Sequence, residues 1–162
     1  MDSKEELYKQ NYKKLLRVAC KMLPDGQYAN DIIHDVFIEF IEKCNGSKPV
    51  RCPKSWLYRV TLNKCVDRVR NNKKIGRIEE IGEIISTDDS IENNEKKAIV
   101  GRALANLKMK ERELAVLYSE GLSYKEIAEI TEINPASIGK MLSRTLKKLE
   151  LELKKLGYEL HG

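Results

Sequence analysis

Residues 121–148 read Gly-Leu-Ser-Tyr-Lys-Glu-Ile-Ala-Glu-Ile-Thr-Glu-Ile-Asn-Pro-Ala-Ser-Ile-Gly-Lys-Met-Leu-Ser-Arg-Thr-Leu-Lys-Lys, and their punctuation describes two short helices around a tight turn. Gly121 stands where a preceding helix would end, because glycine alone enters the left-handed region without a Cβ penalty. Ser123, with Glu126 three residues on, forms a capping box that starts the next helix. Asn134 followed by Pro135 supplies an N-cap and a first helical position for the last one. On that last helix Ile138, Leu142, Thr145, Leu149, Leu153 and Leu156 share a face, while Ala136, Ser137, Lys140, Arg144 and Lys147 lie about half a turn away. The spacing predicts a helix that is core on one side and cationic on the other. Small residues in its first turn, with Asn134 at the cap, let the helix end approach base edges, and Lys or Arg further along meet phosphates. This is the pattern of a DNA-reading helix-turn-helix, although an ordinary solvated amphipathic helix has the same periodicity.

Working outward, the whole chain has 162 residues, with 30 Lys and Arg against 25 Asp and Glu, for a net charge of +5. That length suits one medium domain or two small ones and excludes a large catalytic core. Gly, Pro and aromatic residues are sparse while Leu, Ile, Lys and Glu dominate, which favours helices throughout, and no strand-like alternation stands out. The expected fold class is all-α. The stretch Met1-Asp2-Ser3-Lys4-Glu5-Glu6 is too polar for a signal peptide. No apolar run approaches the roughly 18 residues of a membrane span, so a cytoplasmic protein with no membrane insertion is expected. Cys20, Cys44, Cys52 and Cys65 have no paired short spacing, and His34 and His161 complete no metal-ligand pattern. Buried or incidental thiols are the expectation, with no metal and no cofactor.

Charge divides the chain. Residues 1–74 carry a net +7, residues 75–95 a net −6 and residues 96–162 a net +4. The acidic stretch holds Gly76, Gly82 and the run Ser86-Thr87-Asp88-Asp89-Ser90, and it reads as a flexible linker. Two basic modules on one tether suggest two contacts with a single polyanion.

The first module opens with an apolar stripe, Leu7, Tyr8, Tyr12, Leu15, Leu16, Ala19, Met22 and Leu23, on a helix that stops at Pro24-Asp25-Gly26. A second helix puts Ile32, Ile33, Val36, Phe37, Phe40 and Ile41 on a core face and Asp31, His34, Asp35, Glu39 and Glu42 on the other. An acidic helical face is often merely solvated, but on an otherwise basic module it also fits a protein partner. The loop from Asn45 to Ser55 carries Lys48, Arg51 and Lys54, with Pro49 and Pro53 to stiffen it. A third helix from Trp56 to Arg70 follows, with Arg59, Asn63, Lys64, Arg68 and Arg70 on its polar side. A tryptophan beside a cationic loop and an asparagine able to pair with bases suits capture of unstacked bases. Equally, Trp56 as plain core and the charges as plain surface fit the same pattern.

At this point the motifs Asp31-x-x-His34-Asp35-x-Phe37, Trp56-Leu57-Tyr58-Arg59-Val60-x-x-Asn63-x-x-x-Asp67, Leu107-x-x-x-Glu111-Arg112-Glu113 and Gly121-Leu122-Ser123-Tyr124-Lys125-Glu126-Ile127-Ala128 together resemble an extracytoplasmic-function sigma factor. The order, the spacing and the acidic break agree over nearly the whole chain. The resemblance implies that residues 1–74 are region two, which binds the clamp helices of core RNA polymerase and melts the minus-ten element of promoter DNA. It implies that residues 75–95 are the linker, and that residues 96–162 are region four, which binds the polymerase flap and reads the minus-thirty-five element. By the same carry-over Asp31, His34, Asp35 and Glu39 face polymerase, the Asn45–Ser55 loop with Arg51 and Lys54 receives a flipped base, and Trp56, Arg59, Asn63 and Lys64 line the upstream edge of the melted bubble. An anti-sigma factor is a further candidate partner.

Three departures stand out. His34-Asp35 replaces the Gln-Glu pair of many relatives, Glu132 occupies the turn position often held by glycine, and Gly139, Lys140 and Met141 stand where Lys, Ser and Arg are frequent. At Glu132 the turn either avoids a left-handed residue or accepts strain of about 1 kcal/mol. Gly139 costs roughly 1 kcal/mol in a helix interior. The reading is therefore a non-enzymatic initiation factor. The runner-up, a helix-turn-helix regulator of duplex operators, explains the last module but not Trp56, the acidic helix or the linker. A metal-sensing protein using Cys44, Cys52 and His34 is a third class.

Overall fold

The computed structural model describes residues 3–23, 28–46, 48, 50–74 and 91–157. They form seven α-helices: α1 (Ser3–Met22), α2 (Ala29–Cys44), α3 (Pro53–Lys74), α4 (Ile91–Ala105), α5 (Met109–Ser119), α6 (Tyr124–Thr131) and α7 (Pro135–Lys155). Among the described residues there is no strand, and the all-α expectation holds. The Pro24-Asp25-Gly26 turn, Pro49, His161 and residues 75–90 of the acidic stretch lie outside the described residues, and residues 91–95 are the start of α4.

Helices α1, α2 and α3 pack as one bundle because each carries an apolar stripe at helical spacing. Leu15, Val18, Ala19 and Met22 meet Ile32, Ile33, Val36, Phe37 and Phe40, and α3 closes the bundle with Leu57, Tyr58, Leu62, Cys65, Val66 and Val69. Pro53 opens α3 three residues ahead of the sequence expectation, at a helix start where its missing N–H costs nothing. Ile41 does not join this core and is 46% exposed. Each residue advances about 100° around a helix, so Ile41 falls beyond Phe37, which already sits at the edge of the packed arc.

Helices α4 to α7 bury Leu104, Leu107, Leu114, Leu117, Ile127, Ile130, Ile138 and Leu142. On α7 the expected stripe is buried at Ile138, Leu142, Thr145 and Leu153 and half-buried at Leu149 and Leu156. Start signals act as read. Ser123 Oγ accepts from the Glu126 N–H at 3.1 Å while Glu126 Oε1 accepts from the Ser123 N–H at 3.1 Å. Asn134 Oδ1 accepts from the Ala136 N–H at 3.0 Å, and Gly121 ends α5 with φ +78°. Glu111 Oε1 accepts from the Lys108 N–H at 3.1 Å and its other oxygen takes Lys148 Nζ at 2.6 Å, which ties the start of α5 to α7.

The buried side chains of the two sets form one continuous cluster, with α1 against α4 and α5 and α3 against α6. Arg112 is the polar tie within it. This guanidinium, 5% exposed, donates to the carbonyls of Leu104 (3.0 Å), Ala105 (3.0 Å) and Met22 (2.9 Å). Those carbonyls belong to the last turns of α4 and α1, where intrahelical donors run out and the helix dipole favours a cation. Close by, Glu120 keeps only 3% of its side chain exposed and is met by Arg17 at 3.1 Å and Lys21 at 3.1 Å.

Replacing Arg112 with Met should lower the unfolding free energy by about 3 kcal/mol, since buried carbonyls then lose charge-assisted donors. Arg112→Lys should recover only part of it, because one ammonium cannot reproduce the planar fork. Urea unfolding followed by circular dichroism reads both changes.

Candidate nucleic-acid interface

The face of α7 opposite its buried stripe is open. Asn134, Ala136, Ser137, Lys140, Arg144 and Lys147 are all exposed. The intervals from 137 to 140, 144 and 147 keep them on one stripe. Lys140, Arg144 and Lys147 enter no ion pair among the described residues, so their full charge is available to a polyanion. The first turn of α7 carries no acid that would repel one. Gly139 is not demanded by crowding, since a Cβ there would meet the Tyr124 ring at an ordinary 3.5 Å.

The turn before α7 resolves the alternative at Glu132. This residue adopts φ 61° and ψ 24°, the left-handed region, and so accepts the strain of about 1 kcal/mol. Its carboxylate lies 3.5 Å from Arg59 Nε on α3.

On α2, Asp31, His34, Asp35 and Glu39 are exposed together along one side. Two apolar residues interrupt that strip: Ile38, 54% exposed, and Ile41. Sequence reasoning missed the apolar content. The signal was present, since Ile38 lies four residues after His34 and three after Asp35 and must share their side.

The residues expected to meet DNA from the first bundle are in a different state from those on α7. Arg51 is exposed. Lys54 Nζ lies 2.7 Å from Glu126 Oε2. Trp56 is half-buried, tilted on Phe40 with ring centroids 5.7 Å apart, and Lys43 stands over its ring at 5.9 Å. Arg59 donates from Nη2 to the Glu129 carbonyl at 2.6 Å and from Nε to the Ile130 carbonyl at 3.3 Å. Lys64 pairs with Glu39 at 3.3 Å, which joins one expected DNA contact to one expected polymerase contact. Asn63 is exposed on a cavity of about 420 Å³ that α5 closes with Met109, Lys110 and Glu113. The partners Glu126 and Glu129 on α6 and Glu132 in the turn after it were not anticipated from sequence.

Electrostatics follow the same geometry. The Lys54 ammonium, and then the Ser123 backbone N–H, hold the Glu126 carboxyl well down, at about 2. Burial pushes Glu113 upward against the opposing pull of Lys110. Burial also pushes the Cys65 thiol up to about 12 and raises Cys20, leaving both as unreactive thiols. Among the described residues no group of three or more His, Cys, Asp or Glu could hold a metal ion, and no helix is long and apolar enough to cross a membrane.

Comparison with known proteins accounts for this arrangement. Residues 7–75 match the family model "Sigma-70 region 2" and residues 97–149 match "Sigma-70, region 4". RNA polymerase sigma factor SigV of Bacillus subtilis is 32% identical over 126 residues, spanning 75% of this chain and 75% of that protein. The chain belongs to the extracytoplasmic-function group of sigma-70 factors. The sigma factor YlaC of Bacillus subtilis is 28% identical over 166 residues, spanning 95% of this chain and 91% of that one. The fold is shared with sigma factor RpoE, solved with the anti-sigma factor NepR from Bartonella quintana, at a TM-score of 0.74, 20% identity and coverage of 93% and 96%. It is shared too with CnrH, solved with the cytosolic domain of CnrY, at a TM-score of 0.70, 21% identity and coverage of 94% and 88%. This sigma factor directs transcription by RNA polymerase. Every residue expected from sequence to meet DNA or polymerase falls inside one of the two family matches.

The sign of the Glu126 shift gives a pH prediction. Its folded value lies below the ordinary 4.5, so stability from the Lys54 contact is present above that value and is lost as the pH falls toward about 2. Glu126→Gln keeps a capping-box residue but removes the charge. Its acid-unfolding curve, followed by circular dichroism, should therefore fall less steeply between pH 5 and pH 2 than that of the unsubstituted chain.

Proposed function

We propose that this sigma factor docks on core RNA polymerase through α2, reads the minus-thirty-five element with α7, and reads and melts the minus-ten element with α3 and the loop before it. In this reading residues 1–74 act as region two, residues 75–95 as the linker and residues 96–162 as region four. The observation that carries it is the exposed stripe of Lys140, Arg144 and Lys147 on α7, unpaired among the described residues and set behind the small first-turn residues Ala136 and Ser137. That combination lets a helix end enter a major groove while cations farther along settle on phosphates.

Division of labour follows from shape and charge. Asp31, His34, Asp35 and Glu39, with Ile38 and Ile41 among them, form a mixed acidic and apolar strip suited to a basic, partly apolar protein surface such as the polymerase clamp helices. Helices α4 to α7 supply the contact with the flap. Arg51, Lys54, Arg59, Asn63 and Lys64 offer donors to phosphates and base edges, and Trp56 offers a ring for stacking. Melting is driven by binding: capture of an extruded base offsets the few kcal/mol of unstacking. The protein acts in the cytoplasm, by binding and not as an enzyme, and needs no metal or cofactor. One solved neighbour carries the anti-sigma factor NepR and another the cytosolic domain of CnrY, so an anti-sigma factor is proposed as a partner here as well. A regulator confined to duplex operators would account for α6 and α7 but would leave the α2 strip without a use.

Two substitutions test the assignments separately. Arg144→Ala should weaken binding of holoenzyme to promoter fragments by about 1–3 kcal/mol with altered upstream preference if Arg144 reads a base. A uniform, salt-dependent loss would make it a phosphate contact instead, and no loss would contradict the docking. Asp31→Lys with Asp35→Lys should reduce co-purification with core polymerase while the circular dichroism spectrum stays unchanged. Undiminished co-purification would remove α2 from the polymerase interface.

A further inference from the structure

Trp56, Val60, Lys64 and Arg68 follow one another at four-residue steps along α3, and all four are half-buried. Residues so spaced form a single row on a helix. The two cations of that row are in different states. Lys64 Nζ meets Glu39 Oε2 at 3.3 Å, which compensates its charge. Arg68 enters no ion pair and no hydrogen bond among the described residues, although its Nε is buried. What holds it is a ring: the guanidinium carbon lies 3.5 Å from the centre of the Tyr28 ring, on the residue just before α2. An aromatic face attracts a guanidinium through its flat side and takes none of the N–H donors in its plane. A carboxylate would have taken two of them. Folding therefore fixes the position of this cation while its charge meets no anion among the described residues. Asp67, the acid next to it in sequence, is turned about 100° away around α3.

We propose that Arg68, steadied by Tyr28, grips a backbone phosphate of duplex DNA upstream of the strand that α3 captures. The inference rests on the reading of α3 as the minus-ten surface and adds to it a contact that reads no base. Helix α3 is unbroken from Pro53 to Lys74, so the chain advances about 18 Å along its axis between Trp56 and Arg68. Successive phosphates of one strand advance about 3.4 Å along a duplex, so a helix laid along the DNA brings Arg68 to it about five base pairs upstream of the bubble edge that Trp56 lines. A planar guanidinium suits a phosphate, whose free oxygens accept its N–H groups. Such a contact carries no sequence information but sets register. With Trp56 at the first open base and Arg68 on the closed duplex, the junction between them is held from both sides.

The test uses holoenzyme assembled from core polymerase and the full chain, with fluorescein-labelled forked DNA from a promoter that it transcribes. One fork carries about ten base pairs of duplex upstream of the junction and the other about two, and both end short of the minus-thirty-five element. Arg68→Ala should weaken binding of the long fork about tenfold and of the short fork less than about twofold. On the long fork it should also flatten the dependence of log affinity on log salt by about one. Arg68→Lys should keep that salt dependence while losing part of the affinity, because the charge stays and the planar fork does not. Tyr28→Phe keeps a ring and should match the unsubstituted chain, whereas Tyr28→Leu should lose affinity for the long fork alone. If Arg68→Ala lowers the melting temperature, Arg68→Gln, with a neutral polar side chain, carries the same comparison. Unchanged long-fork affinity without the guanidinium, an equal loss on both forks, or a Tyr28→Leu protein that binds like the unsubstituted chain would overturn the contact while leaving the α3 reading in place. An unsubstituted holoenzyme that binds neither fork would overturn the α3 reading and the contact with it.

Discussion

The buried guanidinium of Arg112 sets the terms on which the rest of the fold can exist. Helices α1 and α4 both end at the centre of the molecule, where their last carbonyls meet little water and must find donors inside the protein. A single planar cation reaches both ends at once, through the carbonyls of Met22, Leu104 and Ala105. An apolar side chain in that place would leave polar groups unsatisfied, and a lysine would lack the fork geometry. Around this point the apolar stripes of all the helices close into one cluster. The two bundles therefore share a core as well as a charged seam.

That seam divides the chain's cations into two groups. Lys140, Arg144 and Lys147 lie on the outer side of α7 and enter no ion pair among the described residues. Lys54 and Arg59 lie on the inner side of α3, and Arg17 and Lys21 on α1, all met by acids of α5 and α6 or the turns that follow them. A net charge of +5 hides this division, because it does not distinguish a cation paired within the fold from one left open.

The local grammar of the fold was legible in the sequence, and the long-range contacts were not. Ser123 with Glu126, Asn134 with Pro135, and Gly121 act as read, because a cap depends on neighbours within four residues. The open cationic side of α7 follows from periodicity in the same way. Ile41 was misplaced because a helical stripe can be wider than the arc its neighbours cover, and only packing sets that width. Arg112 stood out as part of a motif, yet nothing local marks it as buried, since its partners lie between 7 and 90 residues away. Glu132 was flagged as an oddity of the turn, and the contact its carboxylate makes, with Arg59 on another helix, could not be read from the turn itself. The seam between α3 and α6 joins residues about 70 positions apart, a distance at which pattern carries no information.

This sigma factor is proposed to confer promoter-dependent initiation and strand opening on polymerase. Run-off transcription with purified core polymerase over genomic promoter fragments, paired with permanganate footprinting of the same complexes, tests it most directly. Discrete transcripts that require the chain are expected, with reactive thymines appearing just upstream of each start. Duplex binding by the chain alone, with neither transcript nor reactive thymines on any fragment when core polymerase is present, would contradict it.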